Sequence, residues 1–411
     1  MQQSIKSPFN IIVIVAALGY FVDIYDLILF GIVRVPSLEA LGLTGDAITT
    51  EGIKLLNIQM MGMLLGGIIW GVWGDKKGRL SVLFLTIMMY SVANILNGMI
   101  TNLTQYYVLR FFAGLGLAGE LGVGITLVSE VMSKETRGIG TTIVSAVGIV
   151  GAVAGFLVAD LFDWRVAYYV GGGLGLILLL LRVSVYESGL FHKTKQDNIR
   201  RGSFERLFMD KHRFSRYIKC ILIGVPVWYV IGIVVFLAPE FAASDMLNIT
   251  GTVNAGKAVM YHYAGASIGA LLTGIVSQRL QSRKRALLFA LASLASTLVI
   301  LFVTKNVSNQ IFYFMMFFVG IPNGYWSIFI TTASEQFGTN MRATVTTTVP
   351  NFVRGTTVIM TSAFAALKSP QILGTMGAAM TIGIAVFIMA IYATLTIEES
   401  YKKDLDFYEN I

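Results

Sequence analysis

The chain has 411 residues, 55% of them hydrophobic and only 13% charged, with a mean hydropathy of +0.72. A soluble domain carries about a quarter charged residues, so the composition excludes one and indicates an integral membrane protein. A single cysteine, Cys220, and three histidines without ligand spacing exclude a disulfide framework and a cysteine metal cluster; no catalytic, metal or cofactor site is expected.

Twelve apolar runs are predicted to cross a bilayer, at 8–35, 53–74, 80–100, 104–132, 138–161, 164–185, 214–237, 254–276, 286–303, 310–335, 342–366 and 372–397. The first is too long for the apolar core of a cleavable leader, and no small-residue cleavage site follows it. Asp23 and Asp26 lie inside that run, three residues apart and so on one helical face. An acid at mid-membrane costs about 2.5–3.5 kcal/mol on insertion scales, so each needs a partner or a use.

Basic residues set the expected orientation. Nine Lys/Arg lie between Glu187 and Lys219 and four between Arg279 and Arg285, while the loops on the other side hold few. By the positive-inside rule both termini and the central segment are cytoplasmic. The net charge of +8 is then a topology signal, and no nucleic-acid partner is expected. The sequons at Asn102, Asn248 and Asn306 fall in short outward loops and read as chance occurrences.

The chain also repeats itself. Ser129-Glu130 closes the fourth run with Arg137 seven positions on; Ser334-Glu335 closes the tenth with Arg342 seven positions on. The offset is 205 residues, half the chain, which suits two six-helix halves in the same orientation. The expected fold is all-α, with an N-terminal half at 1–186, a cytoplasmic central loop at 187–213 and a C-terminal half with a cytoplasmic tail at 214–411. Arg283-Lys-Arg285 is an eroded echo of the basic turn at Asp75–Arg79.

Gly71-Val-Trp-Gly-Asp75-Lys76-Lys-Gly78-Arg79 resembles the signature loop of the major facilitator superfamily, departing from it only at Leu80. Arg110-Phe-Phe-Ala-Gly-Leu-Gly-Leu-Ala-Gly119-Glu120 and Trp164-Arg165 resemble the metabolite–proton symporter and sugar porter branch. Glu187-Ser188 resembles the Pro-Glu-Ser-Pro element of that branch, with Tyr186 and Gly189 in place of both prolines. The resemblance covers the N-terminal half well and the C-terminal half mainly by topology. It implies a cytoplasmic gate built from Gly71, Asp75, Gly78, Arg79, Glu130, Arg137, Glu335 and Arg342. It also implies an aspartate–arginine proton switch, carried here by Asp26 and Arg110, with Asp23 and Glu120 as alternative proton sites.

Arg354 is the second unusual charge, twelve residues into the eleventh run and so about 18 Å along it. It follows the polar, proline-broken stretch Thr346-Thr-Thr-Val-Pro-Asn351, where irregular backbone lining a cavity is expected. A guanidinium at such a depth recognises carboxylate or phosphate through its planar fork. Trp228, Tyr229, Tyr261, Tyr263, Asn323, Tyr325 and Trp326 could complete a pocket, while His262 reads as incidental. No phosphate-binding Gly-Lys-Ser/Thr loop is present, so ATP hydrolysis is not expected. The reading is a proton-coupled importer of a small organic anion or zwitterion, a monomer in a bacterial inner membrane. An uncoupled facilitator or efflux carrier stands as the alternative, and a transporter-like receptor as a remote one.

Overall fold

The structure is a computed structural model, which describes residues 11–77, 79–120, 137–187, 204–243, 247–401, 403, 407 and 409. The helices preceding the central segment are α1 (Ile11–Ala40), α2 (Asp46–Lys77), α3 (Arg79–Asn97), α4 (Leu103–Leu117), α5 (Arg137–Leu161) and α6 (Trp164–Glu187). After it come a short α7 (Arg206–Met209), α8 (Lys211–Tyr229), α9 (Ala238–Ala242), α10 (Ala255–Leu280) and α11 (Arg283–Val303). The last four are α12 (Asn309–Asn323), α13 (Trp326–Glu335), α14 (Thr339–Leu367) and α15 (Gly374–Thr396).

Among the described residues nine helices are long and apolar enough to cross a membrane. The predicted runs missing from that set are α3, whose apolar stretch is Val82–Asn97; α4, which stops at Leu117; and the threonine-rich α14. Polarity is turned inside out, as it must be in lipid. Leu161, Leu180 and Ile359 are at least 70% exposed, whereas Asp23, Asp26, Arg110 and Arg354 are at most 1% exposed.

Several predicted boundaries shift for local reasons. The second run begins seven residues earlier than expected, at Asp46, whose carboxylate sits in the favourable first turn of α2 and meets Lys368 at 2.7 Å. The tenth run is two helices, broken at Gly324–Tyr325, where a Cβ on Gly324 would stand 2.4 Å from Ala270 N. The fourth run turns likewise at Ala118–Gly119. Helix α8 contains Pro226 and runs into a π-helical stretch over Val230–Val235, a widening common at functional sites.

Two helix crossings are made by glycine alone, and they correspond. A Cβ on Gly62 or Gly66 of α2 would lie 2.3 or 2.6 Å from the Phe111 or Leu115 carbonyl. Gly265 and Gly269 of α10 stand likewise 2.0 and 1.8 Å from the Phe317 and Ile321 carbonyls. Only glycine admits backbone contact this close. Gly269→Val is therefore expected to force α10 and α12 apart and to lower the thermal midpoint of the detergent-solubilised protein by several degrees; an unchanged melt would mean the crossing is slack.

Bonds between the N-terminal and C-terminal helices occur along their length. Thr361 Oγ1 donates to Asn57 Oδ1 at 2.6 Å, Ser267 Oγ to the Ala146 carbonyl at 2.9 Å, and Asn351 Nδ2 to the Ala118 carbonyl at 2.8 Å. At the end of the bundle that carries the C-terminal tail, Glu409 receives two bonds from Arg216 and exchanges backbone–side-chain bonds with Asn340. At the opposite end Asn248 donates to Asn306 at 2.7 Å, so the two sequon amides engage each other.

Candidate functional site

A cavity lies between the N-terminal and C-terminal helices. Tyr20, Ile24 and Ile149 line it from α1 and α5; Trp228, His262, Asn323, Trp326 and Arg354 line it from the other side. Arg354 provides its charge. The guanidinium lies 5.9 Å from the Trp228 ring and 5.8 Å from the Trp326 ring, and Nη1 donates to Asn351 Oδ1 at 3.3 Å. No carboxylate among the described residues is within 4 Å of it, and its Nε is unbonded. Two indole faces attract a guanidinium without neutralising it, so the fork remains able to take an anion.

Sequence reasoning expected irregular backbone just before Arg354. Instead α14 is continuous through Pro350. Hydroxyls of Thr346 and Thr348 and the amide of Asn351 donate back to carbonyls one turn earlier, at 2.8–3.0 Å. These contacts add polar bonding to the helix around the proline, so Arg354 is presented from a formed helix.

Of the aromatic and amide candidates, Trp228, Tyr263, Asn323 and Trp326 line the cavity. Tyr229, Tyr261 and Tyr325 do not. Tyr229 donates to the Ala379 carbonyl and Tyr325 to the Ile223 carbonyl, while Tyr261 stacks on Tyr313 with centroids 5.6 Å apart. Each phenol finds a helix–helix partner first. His262, expected to be incidental, is wholly buried in the cavity wall with Nε2 3.0 Å from Asn323 Nδ2. Tyr20 was not anticipated; its hydroxyl accepts from Trp326 Nε1 at 3.1 Å, joining α1 to α13 across the cavity.

The acids lie just beyond. Asp23 and Asp26 are completely buried, and none of their four oxygens makes a close hydrogen bond, although the Asn94 amide faces Asp26. The expected Asp26–Arg110 ion pair is absent at 4 Å. Arg110 donates instead to Asn94 Oδ1 at 2.9 Å and Gln59 Oε1 at 3.4 Å, and its guanidinium lies 5.1 Å from the Tyr168 ring. The two amides supply the oxygens that α1 withholds. Arg110 still acts electrostatically on Asp26, and Arg354 on Asp23. Asp26 Oδ1 packs where a Cβ on Gly171 would stand 2.2 Å away. Glu120 is engaged by Arg182, at 2.5 Å, in a buried pair fitted beside Gly19. Sequence reasoning passed over Arg182, although a charge inside the run at 164–185 was a signal for it.

The expected cytoplasmic gate is only partly visible. Gly78 and Glu130 fall outside the described residues, as do the side chains of Asp75, Arg79 and Arg137. Gly71 approaches Thr348 of α14, its Cβ position 3.5 Å from Cγ2. Glu335 pairs with Arg283, at 2.9 Å, while Arg342 donates to the Ser334 and Phe337 carbonyls. The echo of the basic turn thus supplies the partner of Glu335. At the opposite end a contact absent from the sequence reading joins the two groups of helices. Arg34 of α1 meets Glu240 of α9 at 2.7 Å and donates to the Phe236 carbonyl, and Thr49 of α2 donates to Glu240 at 2.9 Å.

Buried charges around a cavity, enclosed by helices with lipid-facing apolar surfaces, fit a membrane transporter. Residues 16–355 match the model of the Major Facilitator Superfamily, and the chain belongs to that family. It is 26% identical to a probable 4-methylmuconolactone transporter of Cupriavidus pinatubonensis, over 79% of this chain and 76% of that protein. It is also 26% identical to the cis,cis-muconate transport protein of Acinetobacter baylyi, over 93% of each. A niacin transporter of the same organism is 30% identical over 38% of this chain and 36% of its own length.

Proposed function

We propose that the protein imports a small organic anion or zwitterion together with a proton, by alternating access between two six-helix halves, 1–186 and 214–411. The termini are cytoplasmic, and the membrane is a bacterial inner membrane. One observation carries the reading: a buried arginine without an acid partner among the described residues, in a cavity between the halves. Relatives named for muconate, muconolactone and niacin support an organic acid as the cargo. The unpartnered acids Asp23 and Asp26 support a proton as the coupling ion. In proteoliposomes, labelled benzoate, muconate and nicotinate are to be tested for exchange against their neutral amides. Exchange of at least one carboxylate, with none of its amide, is expected; exchange of neutral compounds only would overturn the anion reading.

The Arg34–Glu240–Thr49 contact acts as a latch closing the outer face. Arg34 is only 3% exposed at its side chain, and removing one partner of such a pair costs about 3–5 kcal/mol. Glu240→Gln should therefore favour the outward-open form. With Cys220 replaced by serine, a cysteine placed at the buried Ile24, which lines the cavity ten residues inward of Arg34 on α1, should label several-fold faster from outside. Arg34→Glu combined with Glu240→Arg should restore protection. Equal labelling in all variants would reduce the contact to a static one.

A further inference from the structure

The cavity wall holds a polar group that a carboxylate on Arg354 would leave unused. Asn323 is the last residue of α12, fixed there by the turn at Gly324, and is 2% exposed. Its Nδ2 lies 3.0 Å from His262 Nε2, and its Oδ1 has no partner. The orientation follows from the histidine. His262 Nδ1 faces the backbone of Met316 without forming a close bond. Met316 is inside α12, where its N–H serves the helix ladder, so Nδ1 meets a carbonyl. A ring nitrogen facing a carbonyl carries the proton; Nε2 is then the acceptor and Asn323 Nδ2 the donor. That leaves Asn323 Oδ1 as a buried acceptor in the same cavity as Arg354. A buried acceptor without a donor is unfavourable, and a ligand that brings one relieves it. The same cavity is also lined by the indoles of Trp228 and Trp326, the phenols of Tyr20 and Tyr263, and the aliphatic Ile24 and Ile149.

We infer that Asn323 is a specificity-determining residue whose Oδ1 accepts a hydrogen bond from a hydroxyl or N–H on the substrate, so that the cavity takes a small ring-bearing carboxylate carrying such a donor. His262 is the positioning residue that turns the amide. The inference rests on the organic-anion reading above, with Arg354 holding the carboxylate. It separates donors from acceptors: a hydroxyl is accepted, while a methoxy group at the same position is not.

The test is equilibrium binding to the purified full chain in nanodiscs. The probes are benzoate, 3- and 4-hydroxybenzoate and the corresponding methoxybenzoates, compared within each variant. In the wild type at least one hydroxybenzoate should bind about tenfold more tightly than benzoate and than its methoxy analogue. In Asn323→Leu the hydroxyl preference should collapse to near unity. The ratio is taken within one preparation, so loss of folded protein cancels from it. Should Asn323→Leu fail to fold, the wild-type hydroxy-to-methoxy ratio decides alone. Equal binding of all probes to the wild type, abolished together by Arg354→Ala, would overturn the donor inference and leave the anion reading standing. A preference that survives in Asn323→Leu would equally overturn it. No binding of any probe would overturn both.

Discussion

Arg354→Lys is expected to weaken binding of the transported carboxylate by roughly 10- to 100-fold, although the charge is kept. A guanidinium offers two parallel donors to a carboxylate, an ammonium only a point charge. Losing one charge-assisted hydrogen bond costs about 1.5–3 kcal/mol. The flat fork also lies between two indole rings, at 5.8 and 5.9 Å, a setting a flexible ammonium fills less well. Arg354→Ala should abolish binding altogether. Titration of the purified variants with the carboxylate identified by exchange checks both, with thermal unfolding as a control for folding. Wild-type affinity in both variants would make Arg354 a structural residue.

The second large effect concerns coupling. Asp26→Asn is expected to abolish accumulation of substrate against its gradient while sparing one-for-one exchange, because a permanently neutral side chain cannot take up and release a proton. Neither oxygen of Asp26 makes a close hydrogen bond or ion pair, and Arg110 is tied to Gln59 and Asn94 instead. The acid is therefore not fixed as half of a permanent ion pair. Asp23→Asn serves as the comparison, since Asp23 lies one turn nearer Arg354's influence. Uptake into proteoliposomes with the interior alkaline, set beside exchange at equal pH, separates the two activities. Normal uphill uptake by Asp26→Asn together with its loss in Asp23→Asn would move the proton to Asp23. Normal uptake in both would move it to Glu120, which Arg182 holds at 2.5 Å.

Much of the architecture was legible because lipid enforces a simple rule: apolar residues outside, backbone bonds made within each segment. The long runs, Asp23, Asp26, Arg110 and Arg354 all stood out as charges in the wrong solvent. Partner choice was not legible. Asp26 and Arg110 share a depth, yet Asn94 and Gln59 reach the guanidinium with neutral oxygens that no charge pattern reveals. The same holds for Tyr229 and Tyr325, whose hydroxyls end on carbonyls of neighbouring helices rather than in the cavity. Arg182 and Arg34 could have been found, as each is a lone basic residue within or just inside an apolar run. His262 could have been found through the repeat: Gly62 corresponds to Gly265, and the same step of 203 carries Gln59, a partner of Arg110, onto His262. The breaks at Ala118–Gly119 and Gly324–Tyr325 stand 206 residues apart, close to the same step.

Alternating access driven by a proton makes one demand that no facilitator meets: the anion and the proton must move together. The purified chain, reconstituted with a pH-sensitive dye inside the vesicles and no imposed gradient, is to be given the carboxylate identified by exchange. The account predicts that adding it outside acidifies the lumen, with a proton flux that follows anion uptake and vanishes in Arg354→Ala and Asp26→Asn alike. Anion uptake at the wild-type rate with no change in lumenal pH would contradict it.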